Sequence, residues 1–183
     1  PAQVIQIDVD SGQVTGVLGA GGDYALVDER GAALDAGQWF QCQHGLEVDG
    51  DRLLVYDNGW IREQSRISEY QVDSVAKVAT LRQVWTGPGW YEAALGDVDW
   101  LPDGHMLVHM AHAECFSTQP GVPTQTWEVD ADGVVVWSLT MEDLDSASYR
   151  AERVDACTLW QDTTWCEATR VRRAELEGIL GGT

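Results

Sequence analysis

The sequence predicts an all-β chain built as a β-propeller of four-stranded blades, with a little over two blades and some pieces present. Three observations predict it. Segments 4–18, 67–85 and 126–139 each read as a strand ending in Val/Ile-Asp or Val-Asp, a turn with Gly or Ser, and a second strand. Segments 45–56 and 97–109 each read as a strand, an Asp-Gly turn and an apolar strand, and their Asp-Gly pairs, Asp49-Gly50 and Asp103-Gly104, lie 54 residues apart. A period slightly over 50 residues with four strands per unit is the signature of propeller blades. Nine Trp and 19 Gly beside only two Phe complete the picture of a repetitive, turn-rich β chain.

The elements follow in order. Residues 4–18 supply two outer strands of one blade. Residues 26–40 carry no Pro and predict a long connection across one face, with turns resting on Gly and Asp. Residues 44–85 make a complete blade and 97–139 another, with the QPGVP run at 119–123 marking a long loop ahead of Thr126. Residues 149–159 predict the inner strand of a further blade. Residues 166–180 are good helix formers, and Gly181 and Gly182 stop them. The expected division is a partial propeller over 1–165 and a helical tail over 166–183. Propellers usually close with about four to eight blades, so this chain is expected to need a second chain or companion fragment to complete a ring.

The composition narrows the partners. With 183 residues and 44% hydrophobic content the chain can bury one good core. The formal charge of −19, from 30 acidic against 11 basic residues, repels nucleic-acid phosphates and anionic membranes. Lys77 is the sole lysine, so a pocket for an anion must be made from Arg or His. No apolar run approaches the roughly 20 residues that span a bilayer. The opening PAQVIQIDVD is neither a signal peptide nor an initiator Met, which suggests a processed or excised chain. None of Cys42, Cys115, Cys157 and Cys166 forms a CxxC pair, which disfavours a zinc ribbon. Cys157 and Cys166 bracket a short loop suited to a disulfide, and Cys42 could reach Cys115 only across neighbouring strands. An even count in an acidic, Lys-poor chain favours a secreted or periplasmic protein. Four free buried thiols are the alternative.

Polar residues gather at one end of the predicted strands. The run from Gln43 to Tyr70, QHGLEVDGDRLLVYDNGWIREQSRISEY, places His44 at the start of an inner strand. It places Asp57 and Asn58 at the end of the next, and Arg66 at the start of the third. In a blade those three points share one face, and turns on a rigid sheet commonly carry chemistry. In the following blade Asp97 takes the place of His44, with His109 and His112 near the end of the second strand. Strand alternation puts His105 and His109 on one side of the sheet. Each has a plain alternative: Asp57-Asn58-Gly59 as an ordinary turn, Arg66 paired with Glu63 or Glu69, His44 or His105 as a structural histidine. His105, His109 and His112 invite a metal reading, but they lack the spacing of a compact site and the sequence places no carboxylate to complete one. No metal or cofactor is expected.

At these residues the chain resembles the arylsulfotransferase family, the arylsulfate sulfotransferases that use no nucleotide sulfate donor. The resemblance rests on Gln43-His44, Tyr56-Asp57-Asn58-Gly59, Ser65-Arg66 with Glu69-Tyr70 and Val72-Asp73, Gln83-Val84-Trp85, Gly96-Asp97 running into Leu101-Pro102-Asp103-Gly104, and Tyr149-Arg150-Ala151. It spans roughly residues 4–153. It implies a six-bladed propeller, of which this chain holds about three blades, with the active site at the channel mouth. It implies sulfuryl transfer from an aryl sulfate to a phenol through a histidine-bound intermediate. Arg66 would then neutralise sulfuryl oxygens, Asn58 would donate a hydrogen bond, and His44 would bond or protonate the leaving phenolate. His109 and His112 are the candidates for the nucleophile. The competing expectation is a non-catalytic propeller part used for binding or assembly.

Overall fold

The computed structural model describes residues 2–87, 90–111, 123–142 and 148–154. The chain divides into two compact units, Pro1–Ala151 and Glu152–Thr183. The second is described only at residues 152–154.

The first unit is all-β. A hairpin pairs β1 (Gln3–Ile7) with β2 (Val14–Gly19). The central sheet has five strands in the order β3-β7-β6-β5-β4: β3 (Ala25–Val27), β4 (His44–Asp49), β5 (Arg52–Asp57), β6 (Arg66–Asp73) and β7 (Val78–Trp85). The third sheet runs β11-β10-β9-β8, from β8 (Asp97–Trp100), β9 (Met106–Met110), β10 (Thr124–Val129) and β11 (Val135–Met141). Strands β4 to β7 and β8 to β11 are two antiparallel four-strand meanders at the positions the repeat predicts.

Aspartates build the turns that make this pattern. Asp130 Oδ1 accepts from the N–H groups of Asp132 and Val134. Asp73 Oδ1 does the same for Val75 and Ala76, and Asp28 Oδ1 for Arg30 and Ala32. A short carboxylate that mimics a backbone turn is why Asp recurs between strands. Part of the acidity of the chain is therefore turn chemistry.

Strand β5 sits between two cores. Its period of two sends Leu53 and Val55 to one face and Leu54 and Tyr56 to the other, and all four are essentially fully buried. The first core gathers Leu18, Tyr24, Leu26, Trp39, Phe40, Tyr70 and Ala79. There Trp39 stacks on Tyr70 at 5.6 Å between ring centroids. The second core joins the central sheet to the β8–β11 sheet through Ile67, Trp85, Trp90, Val98, Val108 and Trp127. Each such side chain contributes about 1.5–3 kcal/mol of burial.

The segment 26–40 differs from the expected plain connection. It opens in β3, which pairs parallel to β7 in the register Leu26↔Ala79, makes a bridge between Val27 and Ala33, and contains a 3-10 turn at Ala36–Gln38. It ends in Trp39 and Phe40, both core residues. Residues 149–154, expected to open an inner strand, are not in a strand. The rest of that expected strand and the predicted tail helix lie outside the described residues. No helix among the described residues is long and apolar enough to cross a membrane.

Candidate functional site

Register brings the polar residues of the first meander to one sheet end. His44 on β4 pairs with Tyr56 on β5, and Asp57 pairs with Arg66 on β6. Asn58 is the residue after β5. Its side chain is fully buried and fully used. Nδ2 donates to the carbonyls of Glu92 at 2.9 Å and Leu95 at 2.8 Å, and Oδ1 lies 2.8 Å from His44 Nδ1.

That network fixes a tautomer. An amide whose NH2 is spent on two carbonyls presents only its oxygen to the imidazole, so Nδ1 of His44 carries the proton. In the neutral ring Nε2 is then a lone pair. The group facing it is the N–H of Leu95, at 3.4 Å. His44 itself is half-buried.

Asp57 is the hub beside this pair, with no exposed surface. Oδ1 accepts from the N–H of Gln41 at 2.7 Å and of Gly59 at 3.1 Å. Oδ2 accepts from Arg66 Nε at 2.8 Å and from Arg62 Nη2. Arg66 Nη2 donates to the carbonyl of Gln38 at 2.6 Å, and Arg62 Nη1 to those of Gly37 and Trp39. Two guanidiniums thus share one carboxylate and clamp the segment before β4 onto the end of β5. The cluster keeps one net positive charge in a chain of net charge −19. The partner of Arg66 is Asp57, neither Glu63 nor Glu69. Glu69 instead pairs with Arg52 at 3.0 Å. The Nε–Nη2 edge of Arg66, the fork that would grip an oxyanion bidentately, is held by Asp57 and Gln38.

The turn 92–95 completes the site. Glu92 is 1% exposed, and its Oε1 accepts from the N–H of Ala94 at 3.0 Å. Burial pushes its carboxyl up to about 7. The hydroxyl of Ser65 bonds to the backbone of Glu92 on both its N–H and its C=O sides, and to the carbonyl of Asn58. Leu95 has φ +69, a left-handed conformation uncommon for a residue with a side chain. Next to it, Gly96 has φ +100, and a Cβ there would fall 2.2 Å from the Tyr56 ring.

The second meander is laid out differently. His109 pairs across with Asp97, as His44 does with Tyr56. It is 2% exposed, and both nitrogens are engaged: Nδ1 with Thr126 Oγ1 and Nε2 with Ser148 Oγ, each at 2.8 Å. Burial lowers its pKa, which keeps it neutral. Asp97 accepts from Arg150 Nε at 2.9 Å. His109, a candidate nucleophile from sequence, is enclosed. His112, the other, lies outside the described residues. His105 shares the side of His109: its Nδ1 bonds to Glu128 at 2.8 Å and lies 3.8 Å from Asp103. Asp103, His105 and Glu128 bring their ligand atoms within 4.8 Å of one another. The sequence placed no carboxylate at these histidines. The β9–β10 register supplies Glu128. The Glu128 carboxylate, with Asp103 adding to it, holds the His105 pKa above its usual value.

Cys42 is a free, exposed thiol. Cys115, Cys157 and Cys166 lie outside the described residues. Sequence reasoning missed Asp57 as a hub and Glu92 altogether. The one signal for the latter was an acidic residue set among Trp90, Tyr91, Ala93 and Ala94 in an otherwise apolar loop.

Packed antiparallel meanders, with a half-buried His44 bonded to a fully buried Asn58 at one strand end, describe a β-sheet protein. The chain matches the Arylsulfotransferase (ASST) family over residues 2–150, and it belongs to that family. No curated protein matches it.

Proposed function

We propose that the protein transfers a sulfuryl group from an aryl sulfate ester to a phenol, and that Nε2 of His44 carries the group between them. One observation carries this reading: Asn58 Oδ1 accepts from the Nδ1–H of His44 and so leaves the lone pair on Nε2, opposed by the N–H of Leu95 at 3.4 Å, a contact the substrate displaces. In the first step Nε2 attacks sulfur, the S–N bond forms, and the S–O bond to the phenol breaks. The phenolate leaves and takes a proton from water. The N-sulfonated ring is cationic, and Asn58 Oδ1 stabilises its Nδ1–H. In the second step the acceptor phenol attacks sulfur, the S–N bond breaks, and the phenol proton passes to solvent. Covalent catalysis of this kind divides one hard displacement into two easier ones. The excess positive charge of the Arg62–Asp57–Arg66 cluster, one residue along from Asn58, draws the anionic ester against the field of the whole chain. Arg66 acts here as an electrostatic strut rather than as a bidentate clamp.

The two meanders are blades of a propeller, and a second chain or companion fragment completes the ring. The edge strands β4 and β11 support this, because both present apolar side chains to solvent: Leu46 and Val48 on β4, Val136, Trp137 and Leu139 on β11. An extracytoplasmic location suits the acidic, Lys-poor composition.

The test is to mix the assembled protein with an umbelliferyl or nitrophenyl sulfate, quench before acceptor is added, and read the intact mass. A sulfonate adduct should form in the wild type and in His109→Gln, should disappear on adding phenol, and should be absent from His44→Ala. An adduct that survives in His44→Ala moves the nucleophile elsewhere. No phenol-dependent release of the reporter leaves a binding module.

A further inference from the structure

We infer that Glu92 is a positioning residue for His44, acting through the turn 92–95 and Asn58. The hydrogen bonds of the imidazole run to this turn, directly or through Asn58. The carbonyls of Glu92 and Leu95 hold the Asn58 amide in the orientation that takes the Nδ1 proton, and the N–H of Leu95 faces Nε2. The turn is not self-sustaining by propensity, since Leu95 is in the left-handed region at φ +69. Besides the Asn58 amide, two side chains bond to its backbone: Ser65 on the N–H and C=O of Glu92, and the Glu92 carboxylate folded forward onto the N–H of Ala94 at 3.0 Å. The second is a side-chain staple across the turn itself.

A carboxylate is a costly staple at 1% exposure. An amide would make the same bond to Ala94 without the burial penalty. What the carboxylate adds is a proton-dependent hold. Ionised, it is a stronger acceptor for Ala94. Protonated, it grips the turn less. Among the described residues, these groups that titrate or carry charge lie around it. Tyr56 from β5 has its phenol raised by burial first and by Glu92 second, and Tyr91 lies beside it in the same loop. Ser65 ahead of β6 is neutral, His44 on β4 is reached through Leu95 and Asn58, and Asp97 opening β8 is paired with Arg150. The elevation to about 7 places the change of grip close to neutrality.

The inference rests on His44 being the reacting imidazole, so its test has an arm that needs no activity. The full chain is labelled with 15N in its histidines, and the His44 ring shifts are followed from pH 5 to 9 in the wild type, Glu92→Gln and Glu92→Ala. The wild type should report an Nδ1–H ring whose tautomer ratio, read on the neutral form, inflects near pH 7 with Glu92. Glu92→Gln should keep the tautomer and lose that inflection, and Glu92→Ala should show a mixture of tautomers. In the transfer assay Glu92→Ala should lower kcat by about 10²-fold, the scale of a misplaced reacting group, with little change in KM. Glu92→Gln should restore most of it and flatten the pH profile. Identical His44 shifts in all three proteins overturn the proposal. Should Glu92→Ala fail to fold, a tautomer-ratio inflection that persists in Glu92→Gln overturns it equally. Correct NMR behaviour without transfer activity would instead retire the sulfuryl-transfer reading and leave the positioning intact.

Discussion

Nδ1 of His44 donates to Oδ1 of Asn58 at 2.8 Å, and the direction of that bond is set by two carbonyls 34 and 37 residues beyond Asn58. Asn58→Ala takes the amide from both carbonyls, leaving that of Glu92 with Ser65 alone, and frees the imidazole to take either tautomer. Unpaired buried groups cost about 1–3 kcal/mol. The variant should therefore unfold at lower urea with an unchanged m-value. Asn58→Asp should not rescue the carbonyls, because a carboxylate has no N–H to give. A variant as stable as the wild type would mean that the turn 92–95 is held without Asn58.

Asp57 answers for a second local structure. It is fully buried and holds Arg62, Arg66 and the N–H groups of Gln41 and Gly59. Removing one partner of a buried ion pair typically costs about 3–5 kcal/mol. Asp57→Ala leaves Arg66 with its charge unmatched at 7% exposure. The loss should be of that order in chemical denaturation, and limited proteolysis should find the 36–43 segment first. Arg62→Ala should cost less, since that side chain is 24% exposed.

How much of this the sequence told depends on the range of the interaction. The two meanders were legible because each turn carries its own Asp or Gly and each strand its own period of two. The parallel strand β3 was not legible: its partner β7 lies about 50 residues away, and three residues give no period. The end of β5 was read correctly as the place where His44, Asn58 and Arg66 are carried. What joins them was hidden, because Asp57 looks like an ordinary turn residue until the 38–41 backbone folds onto it. His109 was offered as a nucleophile on the strength of its position near a strand end. The register of β9 on β10 aims it at Thr126, and Ser148 occupies its other nitrogen. Glu92 belongs to no motif, and its burial follows from packing around Tyr56 and Trp90.

Gly96 tests the packing of the site from the side opposite to Asn58. Any Cβ there lands on the Tyr56 ring, at 2.2 Å from the nearest ring carbon, and φ is +100. Tyr56 is fully buried and cannot give way. Gly96→Ala combines overpacking, about 1–3 kcal/mol, with backbone strain. It should destabilise the fold and broaden the aromatic NMR signals of Tyr56 and Trp90. Gly104→Ala, with open space around its Cβ, should carry only the cost of its φ of +84.

The last prediction concerns pH. The folded-state pKa of Glu92 is raised to about 7 from a usual 4.5. Between those values the folded chain binds more protons than the unfolded one, so its contribution to stability falls as pH rises through that window. His105 is also raised, from a usual 6.5, chiefly by Glu128. Its contribution is complete below 6.5 and is lost as pH rises through the folded value. Both trends have the same sign, and they separate by variant. Glu92→Gln should be more stable than the wild type at pH 8 and nearly equal to it at pH 5. His105→Gln should be less stable than the wild type at pH 6, with the gap closing in alkali. His109 runs the other way: burial lowers its pKa, so its contribution is complete above 6.5 and is lost as pH falls from there through its folded value. Urea midpoints at intervals from pH 5 to 9 for the wild type, Glu92→Gln, His105→Gln and His109→Gln check all three signs. A Glu92→Gln protein that tracks the wild type at every pH would show that the carboxyl titrates at its ordinary value and is not held away from water.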